Sequence, residues 1–138
     1  MLALALDEFV AAFENATLPR DQWTHEGHLA VALAFCDDAR GEEDVLRRMR
    51  DGVRRYNAAT GVVDGPMSGY HETLTVFWVR CVVTFRHKHS GTLTKVLALL
   101  LEQWGDTRAP LRFYSKRVLM NPTARARFVE PDLAPFDF

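Results

Sequence analysis

The chain has 138 residues, long enough for one domain (1–138) with a core of its own, and its 48% hydrophobic and 25% charged content is that of a soluble globular protein. With 17 basic against 18 acidic residues the net charge is −1, so neither nucleic acid nor an anionic membrane is expected as a partner. No apolar run approaches the ~20 residues of a bilayer span, and the opening MLALALDEFVAAF lacks a basic stretch and is broken by Asp7 and Glu8. A cytoplasmic protein is therefore expected. Cys36 and Cys81 lie in apolar helical stretches without CxxC spacing, which predicts two buried thiols.

The periodicity is helical nearly throughout. In the first segment Leu2, Leu6, Phe9, Val10 and Phe13 recur at helical spacing until Pro19. The second covers about 23–39, with Leu29, Ala32, Phe35 and Cys36 on one stripe, Thr24 or Asp21 as N-cap and DDARG as its stop. The third reads GEEDVLRRMRDGVRRYNAATG, with acids at its start and five arginines after them, an order that suits the helix dipole. Glu43 and Arg47, Asp44 and Arg48, and Asp51 and Arg55 are spaced four apart, so ion pairs are expected along a solvated face. Val45, Met49, Val53 and Tyr56 form the opposite, apolar stripe.

GVVDGPMS is a turn-rich connection to a fourth helix over about 69–87, with Ser68 as its expected N-cap. That helix is apolar nearly all round, which predicts the central position. Its LTVFWVRCVVTF core is also readable as a strand, but its length and the lack of a partner strand favour helix. A fifth helix covers about 92–104 and stops at Gly105. Beyond Pro110 short helical turns are expected near 112–119 and 123–128. An extended tail follows, because Pro131 and Pro135 prevent a long helix; its aromatic residues are expected to dock. The fold expected is all-α, an up-and-down bundle of about five helices with an irregular C-terminal segment over one end. Crossed, globin-like packing is the alternative.

In an up-and-down bundle the second and fourth helices run parallel, so their N-termini share one end. WTHEGHL opens one and GYHETLT the other. This brings His25, Glu26, His28, Tyr70, His71 and Glu72 together, and the end of the third helix adds Tyr56 and Asn57. His25 and His28, three apart, share a face that continues through Ala32, Phe35 and Cys36 toward the core. His71 and Glu72 diverge by ~100°, and His71 heads the more apolar face.

Three imidazoles with a carboxylate nearby suit a divalent transition metal, zinc or iron, with His25, His28 and His71 as ligands. Glu72 or Glu26 is then a further ligand, a positioning group or a general base. HEGH is not the H-E-x-x-H of zinc proteases, so no local motif decides the matter. Two other readings stand beside the metal: a metal-free pocket for binding or acid–base chemistry, and a structural polar cluster. Tyr114 and Lys116 of FYSK are expected to close the site, where they hold an anionic substrate group. The main expectation is thus a small metal-dependent enzyme acting on a small molecule, and the alternative is a non-enzymatic binding or interaction protein whose His/Glu cluster is structural. The residues do not decide between a monomer and a homo-oligomer.

WTHEGHL, GYHETLT and FYSKRVLMNPTARARFVEPDL together resemble a group of small bacterial proteins to which no activity is attached. The resemblance covers most of the chain and implies a bacterial, soluble, single-domain protein. It carries over no catalytic residue.

Overall fold

The computed structural model describes residues 4–138. In chain order the helices are α1 (Leu6–Glu14), α2 (His25–Asp38), α3 (Glu42–Ala59), α4 (Glu72–Lys88), α5 (Leu93–Trp104), α6 (Lys116–Leu119) and α7 (Pro122–Ala126). Single 3-10 turns at Arg20–Gln22 and Ala109–Arg112 lead into α2 and α6. Among the described residues no strand forms, and one isolated bridge pairs Gly65 with Ser68. The all-α bundle is thus as expected; Leu2, assigned to the first apolar stripe, lies outside the described residues.

Local chemistry sets the helix starts. Thr24 Oγ accepts from Gly27 N–H at the head of α2, and Thr92 does the same for Lys95 at the head of α5. α4 differs from expectation. Its N-cap is His71, whose Nδ1 accepts from Leu74 N–H, whereas Ser68 Oγ–H donates to Val63 O in the preceding turn. Gly69 stands between them at φ +82°, where a Cβ would lie 2.2 Å from Asp64 Oδ1. That oxygen accepts from Tyr70 N–H instead, so the turn stays intact and the helix begins three residues later.

α2 and α4 lie side by side at the centre. α2 also packs on α1, α3 and α5, and α4 on α3, α5 and α7. α4 therefore shares the central position that the sequence assigned to it alone. Ala30 and Ala32 explain this, because small buried side chains let neighbours approach α2 from several sides. On α3, Gly52 plays a similar part: the buried Phe13 ring of α1 sits where a Cβ would stand, at 2.6 Å.

Among the described residues the charged face of α3 pairs differently from the three expected pairs. Arg47 reaches Asp44 at 2.5 Å and Asp51 at 3.8 Å, Arg48 crosses to Asp38 of α2 at 2.9 Å, and Arg55 donates to Glu14 O. Arg50 leaves the solvated face altogether. The C-terminal tail docks as expected, with Phe136 and Phe138 packed edge-on against Phe77 at 5.3 and 5.4 Å. Cys36 and Cys81 are free thiols that burial pushes up to about 12, so neither is a thiolate near neutrality.

Candidate functional site

A cavity of about 520 Å³ opens where α2 and α4 begin, walled on the third side by α3. His25 and His28 reach it from α2, Gly69, Tyr70 and His71 from the head of α4, and Met49, Val53 and Asn57 from α3. The N-termini of the two central helices thus meet at one end of the bundle. Trp23 and Trp78 supply aromatic wall, with Trp23 sandwiched between the rings of His28 at 3.8 Å and Phe13 at 4.4 Å. Sharing a wall is not sharing a role, and the ring nitrogens separate the three histidines.

His71 uses both nitrogens on backbone. Nδ1 accepts from Leu74 N–H at 3.2 Å, and Nε2–H donates to Leu119 O at 2.9 Å. Only one tautomer satisfies both bonds, and it leaves no lone pair over. His28 Nδ1–H donates to Thr24 O at 2.7 Å, so the neutral ring keeps its lone pair on Nε2, which has no partner among the described residues. His25 Nε2–H donates to Trp104 O at 3.3 Å, which leaves Nδ1 as the acceptor. Burial lowers the pKa of all three below the ordinary imidazole value, and His28, with the Arg20 guanidinium also acting on it, falls to about 4. The rings are neutral at physiological pH.

This donor set does not fit the metal expected from the sequence. His71 can ligate only by giving up its cap bond to Leu74. Among the described residues no three His, Cys, Asp or Glu side chains are grouped to hold an ion.

The two glutamates also fall outside the cavity. Glu72 is clamped by Arg50, with Nε at 3.0 Å and Nη2 at 2.7 Å, and its Oε1 accepts from Tyr70 O–H at 2.6 Å. Burial alone would raise the Glu72 carboxyl, but the bonds from Arg50 and Tyr70 outweigh it and hold the group below the usual range. Burial first, and then the bond to Glu72, push the Tyr70 phenol up, with Thr75 and Arg50 opposing. Glu26 lies on α2 beside His25 and is not among the residues that line the cavity.

GYHETLT is in fact a set of staples. Arg125 donates to Gly69 O, His71 ties α4 to the end of α6, and Glu72 ties it to α3. Thr73 O–H donates to Arg127 O while its oxygen accepts from Val129 N–H. Two ionisable groups stand side by side here because each holds a different neighbour.

Of the other expected residues, Asn57 does line the cavity. It is only 8% exposed, and no hydrogen bond to its side-chain amide forms among the described residues. Tyr56 donates to Leu18 O and Tyr114 to Val129 O, both buried in the core away from the cavity, and burial pushes the Tyr114 phenol up to about 12. Lys116 is exposed at the first position of α6. No residue of FYSK lines the cavity, and α6 reaches its edge only through Leu119 O, which accepts from His71 Nε2–H.

Arg20 at the cavity mouth and Arg50 behind it were missed. A signal for Arg50 exists in the run Leu46, Arg50, Val53, Asn57, which shares one helical face with buried neighbours on both sides of the arginine. Comparison of the chain with protein-family models, curated proteins and solved structures returned no match.

Proposed function

We propose that the protein binds a small organic molecule in the cavity between α2, α3 and α4, without a metal, and that the GYHETLT chemistry is structural support for that cavity. One observation carries the reading: Asn57, 8% exposed, makes no side-chain hydrogen bond among the described residues and lines a cavity whose walls are mostly apolar. Solvent still reaches that amide, so whatever fills the cavity has to replace the water's hydrogen bonds or leave the group unpaired at about 1–3 kcal/mol. A few polar groups set into an apolar concavity is the usual composition of a small-molecule site.

His28 Nε2 is the second polar anchor. Its orientation is rigid, since Nδ1–H is tied to a backbone carbonyl and the ring lies flat on Trp23. With its pKa near 4 it is a feeble base at neutral pH, which suits accepting a hydrogen bond better than removing a proton. Binding is therefore favoured over acid–base catalysis.

The test is a screen of small aromatic and heterocyclic compounds by two-dimensional NMR of the labelled protein. Binders should shift the Asn57 side-chain amide and the indole N–H signals of Trp23 and Trp78 together. Ala32→Met, which projects into the cavity, should abolish these shifts. Binders that move other signals and ignore Ala32→Met would refute the site.

A further inference from the structure

The chemical class of the ligand follows from which lone pairs and charges the cavity presents; the inference rests on the binding reading above. His25 and His28 are both neutral, and each has one ring nitrogen committed as donor to a backbone carbonyl, Trp104 O and Thr24 O. Backbone carbonyls only accept, so these bonds fix the tautomers, and the remaining nitrogens only accept as well. Asn57 can both donate and accept. None of the lining residues is an aspartate or glutamate, so a cationic ligand finds no counter-ion. Of the carboxylates around the site, Asp106 is engaged by Arg108 at 3.1 Å, Glu72 by Arg50, and Asp64 Oδ1 by Tyr70 N–H.

The one formally charged lining group is Arg20, an exposed residue whose guanidinium carbon lies 6.0 Å from the Tyr56 ring centroid, on the side of α1 and the 3-10 turn. A carboxylate held by Arg20 stays at the mouth. Any anion moved deeper meets two imidazole lone pairs, which repel it. What the two open imidazole nitrogens call for is a hydrogen-bond donor on the ligand, and the absence of a lining carboxylate favours one that carries no charge.

We infer that the ligand is an uncharged molecule carrying a primary carboxamide, one N–H of which donates to His28 Nε2 while its carbonyl and other N–H pair with the Asn57 side chain. An amide matches both groups, because a primary carboxamide such as Asn57 exchanges two hydrogen bonds with another amide. The apolar remainder of the ligand lies against Trp23, Trp78, Met49 and Val53.

Four size-matched probes test this by NMR titration of the full chain: phenylacetamide, methyl phenylacetate, phenylacetate and phenethylammonium. The amide should bind about tenfold more tightly than the ester, which has the same shape and no N–H. His28→Phe keeps the ring stack on Trp23 and removes the acceptor, so it should bring the amide down to the level of the ester. Asn57→Leu should do so too, and it serves where the first variant fails to fold. Equal affinity for amide and ester overturns the inference, as does preference for the carboxylate, which would make Arg20 the anchor. An amide preference that survives both substitutions overturns the assignment of donor and acceptor. Failure of all four probes to shift the Asn57 and tryptophan signals removes the binding site itself, and the inference with it.

Discussion

His28 should make the fold acid-sensitive in a pH window that belongs to no carboxylate. Its imidazole titrates near 4 in the folded chain against 6.5 when free, chiefly because it is buried, with the Thr24 carbonyl opposing and His25 and then Arg20 adding to the effect. The difference corresponds to about 3 kcal/mol. Between those two values the unfolded chain binds a proton that the folded chain does not, so folding loses stability as pH falls. The contribution is complete above 6.5, declines through the window and is gone below 4. About 2 kcal/mol of it should disappear between pH 7 and 4.5. Half-buried His25 and His71, also lowered, act in the same direction. Glu72, held low by Arg50 and Tyr70 against burial, contributes only at and below the carboxylate range. Urea unfolding of wild type and His28→Gln, followed by circular dichroism at half-unit steps, isolates the histidine. The variant should start less stable at pH 7, having lost the bond to Thr24 O and the stack on Trp23. It should then decline more gently, by about 2 kcal/mol over the window. Parallel declines for the two proteins would refute the assignment of a buried, neutral His28.

Arg50→Met should destabilise the protein by about 2 kcal/mol, because it strands a largely buried carboxylate, while Arg50→Met with Glu72→Met should recover part of that loss; a double-mutant cycle with no coupling would dissolve the clamp. Gly52→Ala brings a Cβ within 2.6 Å of the Phe13 ring and should cost about 1–2 kcal/mol despite alanine's better helix propensity, read from the urea midpoint; an unchanged or raised midpoint contradicts the packing of α1 on α3. His71→Ala should lower stability by about 1 kcal/mol through loss of the α4 cap and leave zinc or iron content, measured by elemental analysis, unaltered. A sharp fall in stoichiometric metal on that substitution would return His71 to the role of ligand.

What could be read from the sequence was what is local. Helical periodicity repeats every 3.6 residues, so α1 to α5 and the apolar character of α4 need no distant partner to be recognised. Thr24 and Thr92 cap their helices through atoms three residues away, and those starts were readable for the same reason. Short connections then imply that the heads of α2 and α4 meet, and the cavity at that end agrees. Which nitrogen of each histidine stays open was not readable. His71 is occupied by a carbonyl 48 residues away and His25 by one 79 away, and nothing in HEGH or GYHET encodes either distance. The same holds for Glu72, whose neighbour Arg50 looked like one member of a solvated basic run until α3 packed against α4. Residue type and spacing place polar groups at one end of the bundle. Only tertiary packing decides which are consumed by backbone and ion-pair partners, because a buried hydrogen-bonding group takes whatever partner the packing brings within about 3 Å. Among the described residues that line the cavity, packing left open His28 Nε2, His25 Nδ1 and the Asn57 amide.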